Sequence, residues 1–178
     1  MYILASKSPR RQELLKLLIS DFLIEVSNVD ESLIKDDPYK LSATLSKIKA
    51  QEIFKRHPDD VVIAADTVVI HNNKVLGKPK NNIEAFKMLK ELSDDTHDVI
   101  TGFTILSKNK CITKSVLTKV YFNDLSDDLI NSYIQTGSPL DKAGAYGIQD
   151  KEFTLIKKIK GSYYNVMGLP IEEMKKCL

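Results

Sequence analysis

The chain has 178 residues, 43% of them apolar and 28% charged, with 26 lysines and arginines against 24 aspartates and glutamates. That length supports a substantial core, and residues 1–178 read as one domain, with room for two lobes around a cleft. The net charge of +2 and the scattered lysines argue against a binder of nucleic acid or of an acidic membrane, which needs a basic stripe.

No apolar run approaches the length of a membrane span, and no basic segment followed by an apolar one marks a signal peptide. Cys111 and Cys177 are far apart and make no metal-type spacing, which points to a reducing, cytoplasmic setting. Cys111 reads as a strand residue and Cys177 as a frayed C-terminal one.

Residues 2–5 form a short buried strand. Ser8 suits an N-cap and Pro9 a first helical turn, so a helix is expected over 9–18 with Leu14, Leu15 and Leu18 on one face. Residues 22–26 alternate loosely as a strand and lead into a polar stretch over 27–32. Asp36-Asp37-Pro38 starts a helix carrying Leu41, Leu45 and Ile48, which ends near His57-Pro58. Residues 61–65 are a continuous apolar run, a central strand buried on both faces, with Asp66 at its carboxyl end. Residues 68–70 and 75–76 flank His71-Asn72-Asn73-Lys74 as a hairpin, with His71 in the turn. A helix after Asn81-Asn82 carries Ile83, Phe86, Leu89 and Leu92. Residues 99–106 and 112–122 make a long antiparallel hairpin. Ser126 caps a helix with Leu129, Ile130, Tyr133 and Ile134 that stops near Gly137. Residues 137–149 are loop-like and hold three of the seven glycines. Residues 153–159 read as a strand, and the chain closes with 161–170 and a short helix.

The arginines are the least ordinary feature. There are three, Arg10, Arg11 and Arg56, and two stand together straight after the first strand. A guanidinium is planar, always charged and grips phosphate oxygens in pairs. Beside a helix start with free N–H groups it makes an anion-binding arrangement, and a capped surface helix with two solvated arginines is the alternative. Asp66, at a strand end, can orient water as a general base or hold a metal. It can equally be a residue that ends a strand. The hydroxyl of Thr67 can bond a base or a phosphate. Glu31 is a second carboxylate, and with Asp66 it suits a hard divalent cation. Lys49 on its helix and Lys78 between glycine and proline are cationic candidates, though most lysines are solvated. Lys142-Ala143-Gly144-Ala145-Tyr146-Gly147-Ile148-Gln149 lets a backbone approach a ligand closely, and the Gln149 amide can read a base edge. The chain has no Walker A sequence, no Gly-x-Ser-x-Gly elbow and no Rossmann glycine pattern, and its three histidines fit no zinc spacing.

Six blocks together resemble the Maf family of nucleotide pyrophosphatases. They are Leu4-Ala5-Ser6-Lys7-Ser8-Pro9-Arg10-Arg11, Val29-Asp30-Glu31, Ala64-Ala65-Asp66-Thr67-Val68-Val69, Gly77-Lys78-Pro79, Asp141 through Gln149, and Asn165-Val166-Met167-Gly168-Leu169-Pro170 with the segment from Gly161 before it. They stand in the family order and span nearly the whole chain. The resemblance implies an α/β fold with a mixed, twisted sheet and two lobes around a deep cleft, like that of inosine triphosphate pyrophosphatases. It implies hydrolysis of a nucleoside triphosphate to the monophosphate and pyrophosphate with a divalent metal, Mg²⁺ or Mn²⁺. By carry-over, Asp66 is the proton acceptor and Glu31 its partner at the metal. Ser8, Arg10, Arg11, Lys49 and Lys78 hold the triphosphate. Asp-Thr-Val-Val followed by Gly-Ile-Gln resembles the branch acting on dTTP and UTP, where Arg10 or Arg11, Thr67 and Gln149 set base choice. The alternatives are the same reaction on another nucleotide, such as 7-methyl-GTP or CTP, and a nucleotide-binding cell-division regulator with little catalysis. A homodimer follows from the resemblance alone. One departure is Gly137-Ser138-Pro139, where the family commonly has Gly-Glu-Pro.

Overall fold

The computed structural model describes residues 1–178. Strand β1 (Tyr2–Leu4) is followed by helix α1 (Pro9–Lys16) and the two-residue strand β2 (Leu23–Ile24). A long helix, α2 (Pro38–Arg56), leads to β3 (Val61–His71) and β4 (Lys74–Leu76). Helix α3 (Asn82–Leu92) precedes the hairpin of β5 (Thr96–Ser107) and β6 (Lys110–Phe122). Helix α4 (Asp127–Gln135) and three short 3₁₀ turns come before β7 (Ile156–Lys160), α5 (Tyr163–Met167) and α6 (Ile171–Lys175).

Seven strands form one sheet in the order β2-β1-β3-β5-β6-β7, with β4 also beside β3. The strands β2, β1 and β3 are parallel and the remaining pairs antiparallel, so the sheet is mixed. The period-2 pleat of β3 sorts its side chains between two layers. Val62 and Ala64 pack with Ala50 and Ile53 of α2. Ile63 and Ala65 pack on the other face with Leu14 and Leu15 of α1 and Met174 of α6. A separate cluster joins Leu89 and Leu92 of α3 to Ile130 and Tyr133 of α4 and to Phe122 of β6. Ser126 caps its helix as predicted, accepting from Leu129 N, and the helix starts at Asp37 and Asn81 are capped too, by bonds from Tyr39 N and Glu84 N; Ser8 makes no such bond.

Several boundaries differ from the sequence expectation. The strand expected to stop at Ala65 runs on to His71, because β5 pairs with it without interruption from Val62 to Ile70. Asp66 is therefore mid-strand. His71 is not a turn residue but the buried end of β3, its ring between Glu91 and Asp95. The turn is Asn72-Asn73, both at positive φ (48° and 61°), a conformation asparagine tolerates and a two-residue hairpin needs. The segment 22–26 pairs over two residues only, against Ile3 and Leu4 of the short β1. Strand β7 starts at Ile156, since Lys151–Phe153 forms a 3₁₀ turn and Thr154 sits at φ 50°. Ile83 faces solvent and Ala85 takes its place on the buried side of α3. Cys177 is buried in the core with Met174 rather than frayed.

Two buried histidines give the fold a pH dependence of opposite signs. His97 lies on β5, edge-on to Phe122 and Tyr146, with Nε2 2.6 Å from the Tyr146 hydroxyl and Nδ1 unpartnered. Burial, and secondarily the charge of His71, pushes its pKa down to about 4. The unfolded chain then takes up a proton near pH 6.5 that the folded chain refuses, so stability is lost as pH falls from about 6.5 to about 4. The loss is of order 3 kcal/mol. For His71, burial alone would lower the pKa, but hydrogen bonds to Asp95 and Glu91 outweigh it and raise it. Its contribution is full below about 6.5 and is lost as pH rises through the folded value. Urea midpoints measured from pH 4.5 to 8 should peak near neutrality. His97→Gln should flatten the acid limb and leave the alkaline limb; an unchanged acid limb would remove His97 as its cause.

Candidate active site

The site begins as a gap in the sheet. Along one edge, β3 is covered by β5 from end to end. Along the other, β1 covers Val61 to Ile63 and β4 covers Val69 to His71. Residues 64–68 have no strand neighbour on that edge, and a cavity of about 870 Å³ opens there. It lies past the carboxyl end of the parallel strand β1, the end of such strands where ligands bind. Both faces of β3 reach it. Asp66 shares the parity of Val62 and Ala64 and meets α2; Thr67 shares that of Ile63 and Ala65 and meets α1 and α5.

On the α2 face three charges converge. Lys49 Nζ lies 2.8 Å from Asp66 Oδ1 and 2.6 Å from Glu31 Oε1. Lys49, one of the cationic candidates for holding the triphosphate, is 8% exposed, as is Asp66, and its ammonium is engaged by the two carboxylates. The buried face of α2 includes Ser42, Ser46 and Ala50, small side chains that allow close approach to the sheet. Gly102 of β5 is the register partner of Asp66, and α2 backbone stands where its side chain would be, with Ala43 N 2.3 Å from an ideal Cβ. Burial pushes the Asp66 pKa up, and although the Lys49 and Arg11 charges oppose it the net direction is upward. Asp66 is thereby a stronger proton acceptor than an exposed aspartate.

Glu31 and Asp66 both reach the Lys49 ammonium, and two carboxylates brought that close are a donor set that suits a hard divalent cation. No third histidine, cysteine or acid joins them. Their number leaves ligand positions for phosphate oxygens and water, which is how Mg²⁺ is commonly held.

The two neighbouring arginines have different fates. Arg11 turns inward: Nε donates to Gly168 O at 2.8 Å, NH2 to Thr67 Oγ1 at 3.1 Å, and NH1 reaches Ser6 Oγ at 3.4 Å. Three of its five N–H groups are engaged by the protein, which leaves two for a ligand. Arg10 lines the cavity without a protein partner, and so do Lys78 and Ser8. Ser8 occupies the N-cap position, but its side chain makes no capping bond; Ser6 Oγ accepts from Ser8 N instead. Burial pushes the Asp141 carboxyl up, yet the hydrogen bond and charge of Lys142, with the charges of Arg10 and Lys78, hold it below the usual range. Arg10 and Lys78 thus set positive charge at the rim beside Asp141.

A family model described as Maf-like protein matches residues 1–178. The chain belongs to the Maf family. A Thermosipho melanesiensis protein named dTTP/UTP pyrophosphatase is 52% identical over 97% of this chain and 93% of its own length. Proteins of the same name from Pyrococcus furiosus (51%, covering 95% of this chain and 89% of that one) and Clostridium botulinum strain 657 (49%, covering 99% and 94%) are similar to the same extent. The solved structure of the Staphylococcus aureus Ham1 protein covers 71% of this chain and 72% of that one at 15% identity, with a TM-score of 0.47, too loose a likeness to argue from.

Ser138 lies in a loop that is tied down. Ser138 Oγ donates to Asp150 Oδ2 at 2.7 Å and accepts from Lys142 Nζ at 2.8 Å. Tyr133 OH donates to the same Asp150 oxygen at 2.5 Å and accepts from Gly147 N at 3.0 Å. These bonds hold the turn that presents the exposed Gln149 to the cavity. The structure thus brings every expected residue to one cavity and redirects Arg11 and Thr67 toward each other. Sequence reasoning missed Gly102, Thr101 and the individual role of Asn165. A lone glycine inside the alternating run 99–106 was the local signal available, since such a glycine marks close backbone approach.

Proposed function

We propose that this protein hydrolyses dTTP and UTP to the nucleoside monophosphate and pyrophosphate. The observation that carries the reading is the division of one cavity into an acidic floor and an unpartnered cationic rim. Relatives of about 50% identity named dTTP/UTP pyrophosphatase support the choice of nucleotide.

Asp66 takes a proton from a water that attacks the α-phosphorus, and the bond from that phosphorus to the bridging oxygen breaks. Pyrophosphate leaves with the charge. A divalent cation, Mg²⁺ or Mn²⁺, held by Glu31 and Asp66 would neutralise charge on the phosphate oxygens. Lys49 orients the Asp66 carboxylate, while Arg10, Lys78 and Ser8 hold the departing phosphates. Positioning and electrostatic stabilisation suffice, with no nucleophilic side chain. Arg11, Thr67 and Gln149 read the base. No helix is long and apolar enough to cross a membrane. The reading sets the enzyme in the cytoplasm, acting on a small nucleotide with no need of nucleic acid or membrane.

The test is pyrophosphate release from dTTP, UTP, CTP, ATP, GTP and 7-methyl-GTP, with and without Mg²⁺ or Mn²⁺. Metal-dependent release from dTTP and UTP, leaving monophosphates, is expected. Release only from another nucleotide would overturn the specificity, and no release from any would overturn the reaction.

A further inference from the structure

Counting protons on the hydroxyls behind Arg11 gives a directional chain. Thr101 Oγ1 lies 2.9 Å from the main-chain carbonyl of Asn165, which can only accept, so the single Thr101 hydroxyl proton is committed there. Thr67 Oγ1 is 2.8 Å from Thr101 Oγ1. Since Thr101 has no proton left, Thr67 donates and Thr101 accepts. Thr67 also accepts from Arg11 NH2 at 3.1 Å. Its proton is therefore spent inside the protein. It meets the cavity as an acceptor only, and it cannot donate to a base carbonyl.

Both strong acceptors of Arg11 hang from one anchor. Asn165, in α5, is fully buried. Its Oδ1 accepts from Thr101 N at 3.0 Å, and its Nδ2 donates to Val99 O at 3.0 Å and Thr118 Oγ1 at 2.9 Å. Its side-chain and main-chain groups thus bind α5 to β5 and β6. Three residues on, Gly168 ends α5 at φ 116° and presents the carbonyl that holds Arg11 Nε at 2.8 Å. Asn165 consequently sets the position of the Gly168 carbonyl directly and the direction of the Thr67 hydroxyl through Thr101. Two N–H groups of Arg11 remain for a ligand, and their orientation follows from those two bonds.

We infer that Thr101 and Asn165 are positioning residues for nucleotide choice: they lock the Thr67 hydroxyl as an acceptor and so aim the free edge of Arg11 at the substrate. The inference deepens the proposed pyrimidine-triphosphate reading and rests on it. Neither residue touches the cavity, and neither belongs to the Asp66–Lys49–Glu31 group.

Thr101→Val is the test variant. It keeps the branched shape in a strand and removes the hydroxyl, whereas Asn165→Ala strips three buried bonds and threatens folding. Thr101→Val is expected to raise KM for dTTP and UTP about tenfold, the scale of one lost hydrogen bond. The dTTP-to-CTP ratio of kcat/KM should fall comparably, with kcat within about threefold. Thr101→Ser should restore both, and Thr67→Val with Thr101→Val should be no worse than Thr67→Val alone, because the two act in series. A Thr101→Val protein with a lower Tm but unchanged KM and unchanged nucleotide ratio overturns the inference and leaves the proposed reaction standing. Additive effects of the two valines overturn it equally. If the wild type prefers another nucleotide, the pyrimidine reading fails by itself, and the same cycle on the preferred nucleotide decides the relay. A wild type that releases pyrophosphate from none overturns both.

Discussion

Asp66→Asn is expected to lower kcat for dTTP and UTP by about a hundredfold or more, the scale of a lost general base. The side chain keeps its shape and can still meet Lys49, but an amide neither accepts a proton from water nor supplies a charge to a cation. Lys49 retains Glu31 at 2.6 Å, so the ammonium is not left wholly unpaired and the variant should fold. Its Tm is the control. Pyrophosphate release measured beside that Tm decides the role: near-normal turnover in a folded variant would move the proton acceptor elsewhere.

The parts of this arrangement that were legible in the sequence are those set by local chemistry. Ser126 was readable as a cap because a short polar side chain can bond a nearby free N–H wherever the rest of the helix goes. The long hairpin of β5 and β6 was readable from alternation. Asp66 was picked out by the apolar run before it, yet its accessibility comes from the gap between β1 and β4 and not from the end of β3. That gap depends on the lengths of two other strands, which no periodicity of residues 61–71 contains. Arg10 and Arg11 are adjacent and chemically identical, and only helix phase separates a free cation from one held by Gly168 and Thr67. Lys49 is one turn from Leu45 on a helix, where a solvated lysine is the ordinary outcome. Its burial follows from a glycine on another strand. Thr101 reads as an ordinary strand threonine until Asn165 packs against it.

That glycine makes the other large prediction. Gly102→Ala is expected to destabilise the fold and to cost activity at a distance from the cavity. A Cβ there would lie 2.3 Å from Ala43 N, 2.4 Å from Ser42 C and 2.5 Å from Ala43 Cα. All three are backbone atoms, so no rotamer change relieves the clash. Helix α2 must move off β5 by roughly an ångström to regain ordinary contact. Overpacking of this kind costs about 1–3 kcal/mol, and rigid backbone on both sides puts this site at the upper end. At the few degrees per kcal/mol typical of a chain this size, Tm should fall by about 5–10 °C. Gly77→Ala is the matching control for stability, since nothing lies within 4 Å of its Cβ. The helix that shifts carries Lys49, and Gly102 is paired with Asp66, so the displacement falls on the 2.8 Å contact between them. Turnover below the Tm of the variant should therefore drop at least tenfold, since misplacement of a catalytic group by about an ångström is enough to do so. A variant that melts early but turns over normally would mean that Lys49 reaches Asp66 without the close approach of α2, and the glycine would matter for packing alone.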